Sequence, residues 1–219
     1  LADHMSALPA PSFVRDRRAS TLHLQRILGD KRFPNPKDHE VLMRWIRMTC
    51  PSDGCVVDFF AGSGSTAEAV MRLNAEDGGT RQSISITNNE LSARTAASLR
   101  KSGSWPGDET WESQGVFERV TRPRLETVVS GSRADGSEFS SGLNENVAFF
   151  ELTYEDENLV ALGRKFDAIA PLLWLRAGGI GPVVRRQEEA LWALPTGATY
   201  GVLFAPSQSK AFAELIGVQ

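Results

Sequence analysis

An acidic residue at the end of an apolar strand, followed by a glycine turn and a helix start, can hold a nucleotide-type cofactor. In this chain the combination runs from Val56 to Thr66, VVDFFAGSGST. Cys55, Val56 and Val57 supply the apolar strand. Gly62 and Gly64 let the backbone turn tightly and leave room where a Cβ would intrude. Ser65 or Thr66 is then placed to cap the following helix, whose free N–H groups face whatever occupies the turn.

Three cofactor chemistries compete for this turn. A phosphate-binding loop of the form GxxxxGK[ST] is excluded, since no lysine precedes Ser65 or Thr66. A dinucleotide turn fits better, because Gly62, Gly64 and Ala67 satisfy GxGxx[GA] and Glu90 follows for a ribose. Against it stands Asp58, whose carboxylate would lie near a pyrophosphate and repel it. The same carboxylate suits the cationic ammonium and sulfonium of S-adenosylmethionine.

The segment resembles motif I, DxFxGSG, of the amino-directed DNA methyltransferases, in the DFFAGSG form of adenine-specific enzymes. Upstream, Phe33, Pro34, Asn35, Pro36 and Lys37 resemble the F-x-x-P-K-P element called motif X, with Asp38 in place of the final proline. Downstream, Leu73 to Arg81 resembles the LN-x-EDGG-x-R stretch of Type III restriction-system modification subunits, and Phe117 to Arg122 their ERxxR helix. Motif X before motif I is the permuted, beta-class order. The resemblance implies S-adenosylmethionine as cofactor, held by Phe33, Pro36, Lys37, Asp58, Phe59, Phe60, Ala61, Gly62, Gly64, Ser65, Thr66 and Glu90. Within it, Asp58 meets the methionine ammonium and Glu90, 32 residues later, takes the two ribose hydroxyls.

The same family uses a catalytic loop [DNS]PP[YFW] that orients the target amino group and stacks on the flipped base. No two prolines are adjacent in this sequence. In the permuted order that loop precedes motif X. The chain starts with leucine, and the expectation is a C-terminal part of a longer methyltransferase that carries no catalytic residue of its own and transfers no methyl group alone.

With 219 residues and 41% hydrophobic content there is enough apolar material for a core or two small ones. No apolar run approaches the roughly 20 residues of a membrane span. Two cysteines and no signal segment point to a reducing, cytoplasmic setting. His4, His23 and His39 are scattered in sequence, so no metal site is expected. The net charge is −3, but residues 1–49 carry nine basic against five acidic side chains. Arg15, Arg17, Arg18, Arg26, Lys31 and Arg32 could touch DNA phosphates or form a solvated arm.

The expected fold class is α/β: part of a Rossmann-like S-adenosylmethionine-dependent methyltransferase sheet, then a small C-terminal α/β unit. The organisation read from the sequence is a basic arm over 1–32, a cofactor lobe over 33–130, a loop over 131–145 and the C-terminal unit over 146–219. Periodicity predicts helices over 39–48 (with Trp45 on the buried face), 66–73, 91–101 and 209–216, and one over 159–177 kinked at Pro171, while the resemblance implies a further helix over 117–122. Strands are predicted over 56–60, 83–87, 147–154, 188–194 and 200–204. Residues 102–115 read as an exposed loop whose Trp105 and Trp111 could meet a partner. The function expected is adenine-N6 methylation of DNA by the full-length protein, with DNA, a restriction subunit or a second copy as partners and no membrane. The alternative is a non-catalytic interaction module that keeps the fold.

Overall fold

Two short apolar runs with a buried helix between them build the centre of the molecule. In the computed structural model, which describes residues 19–186 and 189–217, β1 (Cys55–Asp58) and β2 (Gln82–Ser85) pair in parallel, with Val56 opposite Ser83 and Asp58 opposite Ser85. Parallel neighbours need a crossover, and α3 (Ser65–Asp77) supplies it. Both strands end early, at Asp58 and Ser85, where the turn chemistry of Gly62 and the polar run Thr87–Asn89 take over. Among the described residues this sheet has two strands, so each keeps one unpaired edge, and Val57 and Ile84 lie exposed on its outer face.

α3 is buried nearly all round, as its Ala-rich sequence allows. On one side Ala67 and Met71 join Leu24, Ile27 and Leu28 of α1 (Ala19–Leu28) and Val120, Leu125 and Val128 from the chain leading into and through α6 (Arg122–Ser130). On the other side Ala69, Val70 and Leu73 pack on Ile46 of α2 (His39–Thr49) and on Val56. Residues 1–18 lie outside the described residues, and with them His4, Arg15, Arg17 and Arg18. From Ala19 the stretch expected as a basic arm is instead a core helix, because Leu24, Ile27 and Leu28 recur at helical spacing and need cover. Arg32, expected to face DNA, bonds Asp30 and the carbonyls of Leu28 and Arg119, fastening the end of α1.

Asp38, where the motif X pattern has proline, is the N-cap of α2: its Oδ1 accepts the N–H of Glu40 at 2.9 Å and of Val41 at 3.4 Å. Trp45 is 56% exposed, a correction to its expected burial, because the inward face of α2 is taken by Leu42 and Ile46. The LN-x-EDGG-x-R stretch is a helix-to-strand clamp. Asn74 exchanges two hydrogen bonds with the backbone of Arg81, at 2.9 and 3.0 Å, and Asp77 accepts from Arg81 Nη1 and from the N–H of Gly79.

Beyond β2 come α4 (Ala93–Lys101), capped by Ser92, and a short α5 (Glu109–Glu112) inside the predicted loop. Trp111 is buried there under Arg100, so it is a packing residue and not an exposed contact, while Trp105 is exposed. Phe117–Thr121 is a π-helical turn running directly into α6, and Pro123 follows it with no N–H to donate back to the π turn. Residues 147–154 form no strand. Val147 and Phe149 pack inward and alternate with exposed neighbours, but among the described residues no ladder pairs with them.

The described chain divides between Phe149 and Phe150 into two compact units. In the second, α7 (Glu157–Ala161) and α8 (Phe166–Arg176) are separated at Gly163, which takes φ +70°, and α8 runs on through Pro171, so the break sits upstream of the expected kink. β3 (Trp192–Ala193) and β4 (Val202–Leu203) form an antiparallel pair much shorter than predicted. Glu188, the first residue of the predicted strand, lies outside the described residues. Phe166, Ala170 and Val184 make the core of this unit, and α9 (Ser209–Ile216) has the predicted bounds. Among the described residues no helix is long and apolar enough to cross a membrane.

Candidate cofactor turn and its buried ion network

The turn between β1 and α3 is shaped by its own side chains. Asp58 Oδ1 accepts the N–H of Phe60 at 3.0 Å and Oδ2 accepts the hydroxyl of Thr66 at 2.6 Å, so the acid that closes the strand also spans the turn. A carboxylate has about four acceptor sites, which leaves Asp58 two. The Ala61 N–H reaches across to the carbonyl of Ile86 at 3.1 Å, holding the turn over the end of β2. Gly62 and Gly64 both take the left-handed conformation, at φ +49° and +76°.

Gly64, and not Ser65 or Thr66, occupies the cap position of α3, and no side chain caps the helix. The expected capping role is therefore corrected: Thr66 is committed to Asp58, and Ser65 is turned inward, where its hydroxyl accepts from Arg124 Nη1 at 2.8 Å. The first N–H groups of α3 keep their donors for an external acceptor.

The other predicted site residues fall around this turn unevenly. Phe33 reaches it, its Cζ lying 4.0 Å from where a Cβ on Gly62 would sit, so motif X and motif I do meet. Pro36 is buried and Lys37 exposed. Phe59 and Phe60 project outward, Phe60 at 93% exposure, while Ala61 is buried. Glu90 is exposed beyond the end of β2, and its carbonyl accepts the N–H of Val116 at 2.9 Å. Two clefts, of about 600 and 310 Å³, both border His39, and no residue from 58 to 66 lines either one. Within the turn Ala61, Ser63, Gly64 and Ser65 are buried, and Gly62 and Thr66 half-buried.

Beneath the turn lies a network that no sequence motif announced. Arg124, 1% exposed, donates from Nε to Glu68 Oε2 at 2.6 Å and from Nη1 to the carbonyl and hydroxyl of Ser63 and the hydroxyl of Ser65. Glu68, fully buried, also accepts from His23 Nε2 at 2.7 Å and from Arg72 Nε at 2.6 Å. Burial alone would raise the Glu68 pKa, but the His23 hydrogen bond and the charges of Arg124, His23 and Arg72 outweigh it and hold the carboxyl well below the usual range. Thr121 closes the arrangement by donating to the carbonyl of Gly62 at 2.5 Å.

His23 and His39, far apart in sequence, stack with ring centroids 4.0 Å apart beside Glu68. Burial, then the neighbouring His23, pushes the His39 pKa down to about 4. Scattered in sequence, these two histidines are neighbours in space. Donor atoms of His23, His39 and Glu68 come within 4.8 Å of one another, a spacing that could surround one cation. Both Glu68 oxygens are already engaged, however, and a divalent ion there would sit beside two guanidinium groups. The geometry is that of a hydrogen-bonded ion network.

Comparison with known proteins agrees with this part of the chain. Residues 11–98 match the N6/N4 methyltransferase family model, described as DNA methylase. The Mod subunit of the Type III restriction-modification enzyme StyLTI from Salmonella typhimurium is 33% identical over 146 residues, covering 65% of this chain and 21% of that protein. The EcoPI Mod subunit of Escherichia phage P1 is 41% identical over 76 residues, 35% of this chain and 12% of the relative. The Type II methyltransferase M.KpnI of Klebsiella pneumoniae is 38% identical over 84 residues, 38% of this chain and 20% of the relative. The chain thus spans about a fifth or less of the length of these relatives. Residues 11–98 are thus similar to the DNA methylase family, and the chain is similar to the modification subunits of Type III restriction-modification enzymes.

Proposed function

We propose that this chain is the cofactor-holding part of an S-adenosylmethionine-dependent DNA adenine-N6 methyltransferase. The observation that carries it is the β1–α3–β2 crossover itself: two left-handed glycines lie between the carboxylate of Asp58 and an uncapped helix, with Phe33 against Gly62. The two free acceptor sites of Asp58 would take the methionine ammonium. Glu90, exposed past the parallel neighbouring strand, would take the ribose hydroxyls, and Phe33, Gly62 and the first N–H groups of α3 would line the remainder. When bound, S-adenosylmethionine supplies an electrophilic methyl group, and the residues here hold and orient it for in-line transfer to an adenine amino group. In this reading β1 and β2 are two strands of a larger Rossmann-like sheet. DNA and a restriction subunit are partners of the whole protein.

Titration calorimetry with Asp58→Ala and Glu90→Ala tests the assignment. Each carboxylate would contribute charge-assisted or paired hydrogen bonds of roughly 1.5–3 kcal/mol, so each variant should bind S-adenosylmethionine about ten- to a hundredfold more weakly. Unchanged affinity in Glu90→Ala would remove Glu90 from the site.

A further inference from the structure

We propose that Thr121 and Arg124 are positioning residues that lock the glycine turn of residues 61–65 into its left-handed shape before any ligand arrives. Both come from one rod, the π-helical turn Phe117–Thr121 continuing into α6. The rod is anchored at its start to the end of β2. The Val116 N–H donates to the Glu90 carbonyl, and Asn89 Oδ1 accepts the N–H groups of Phe117 and Glu118 at 3.1 and 3.2 Å. Further along it meets the turn, with the Thr121 hydroxyl on the Gly62 carbonyl and the Arg124 guanidinium on Ser63 and Ser65. The backbone of Glu90 and the glycine turn, the two ends of the proposed cofactor site, are therefore fixed to one helix.

The register explains why the helix is π-wound there. A π turn inserts one residue into the helical repeat, and removing it would rotate everything beyond by about 100°. Thr121 and Arg124 would then swing away from the turn. Contact at the turn is close as well as polar: a Cβ on Gly64 would lie 3.3 Å from Thr121 Cγ2 and 3.6 Å from the Leu125 side chain. Glu68, on the helix that the turn opens, pairs with the Arg124 guanidinium at 2.6 Å and holds it in place. The turn is thus held from below by a fixed cation and from the side by a hydroxyl. A turn ordered in advance spares the ligand the cost of ordering it.

The proposal stands on the geometry of the free protein, and only its consequence for affinity rests on the cofactor reading above. Amide exchange by NMR, on the 219-residue chain without ligand, measures the turn directly. The Gly64 N–H, bonded to the Ala61 carbonyl at 2.8 Å, is the probe. Thr121→Val keeps the volume and loses the donor, and should speed exchange of the Gly64 N–H by about tenfold. Thr121→Ser restores the hydroxyl and should stay within about threefold of the parent. Arg124→Lys keeps the charge but loses the fork, and should speed exchange of the Gly64 N–H likewise. The Gly131 N–H, bonded to the Thr127 carbonyl at the far end of α6, should not respond to either Thr121 variant. Unchanged exchange at the turn in Thr121→Val, or an equal rise at Gly131, would overturn the proposal. If the turn loosens as stated while the parent chain binds no S-adenosylmethionine, the positioning role stands and the cofactor reading falls.

Discussion

Removing Glu68 should unbalance the largest buried charge in the fold. Its side chain is fully buried and Arg124 is 1% exposed, so Glu68→Leu leaves a guanidinium with no counterion and no water. Breaking a buried pair from one side costs about 3–5 kcal/mol. Arg72 and His23, at 27% and 23% side-chain exposure, can turn their lost bonds toward solvent and add little. Arg124→Met strands Glu68 less severely, because His23 and Arg72 still face the carboxylate, and about 2–3 kcal/mol is expected. The double variant Glu68→Leu/Arg124→Met replaces the pair by apolar volume and should recover to within about 2 kcal/mol of the parent. Urea unfolding at pH 7, followed by far-ultraviolet circular dichroism, reads these differences. With a slope of about 1–3 kcal/mol per molar, Glu68→Leu should move the midpoint down by at least about 1 M. A Glu68→Leu loss below about 1 kcal/mol, or a double variant as unstable as the sum of the singles, would refute the view that these two charges hold each other.

Acid should unfold the protein in two stages. His39 and Glu68 both have folded pKa values below their free-chain values of 6.5 and 4.5, so the unfolded chain binds more protons and stability falls with pH. The His39 contribution, of order 3 kcal/mol, is present above pH 6.5 and lost as pH falls toward 4; the Glu68 contribution is lost below about 4.5. His39→Gln should flatten the first stage in a pH series of urea melts. Gly64→Ala should cost about 1–3 kcal/mol, from left-handed strain plus crowding of the Thr121 methyl, whereas Gly78→Ala, at φ +72° with nothing within 4 Å, should cost only about 1–2 kcal/mol; thermal melts compare them. Asp38→Ala removes the cap of α2 and should cost about 1 kcal/mol by the same measurement, with Asp38→Asn recovering most of it.

The glycine turn was legible because its chemistry is local. A strand, an acid and two glycines in eleven residues specify a conformation that neighbouring side chains complete, as Asp58 and Thr66 do here. Helices with strong periodicity were legible for the same reason, α9 to the residue. What was illegible is long-range. Glu68 sits among Ala67, Ala69 and Val70, and Arg124 lies on the stripe Val120, Thr121, Leu125, Val128. A charge embedded in each apolar stripe was a signal that each needed a buried partner, but the sequence offers no rule for matching the two. At Trp45 and over 147–154 the reason differs: an apolar pattern by itself decides neither burial nor pairing, which depend on the surface or strand alongside. The π turn before α6 has no sequence signature at all, since only the need to bring Thr121 and Arg124 under the turn requires it.

In the proposed function the turn between Asp58 and Thr66 holds S-adenosylmethionine. Calorimetric titration of the chain with S-adenosylmethionine and, separately, with NAD tests it most directly. Saturable binding of S-adenosylmethionine, at least tenfold tighter than NAD and weakened in Asp58→Ala, is the predicted result. Tighter binding of NAD, with Asp58→Ala improving it by removing a carboxylate near the pyrophosphate, would contradict the account.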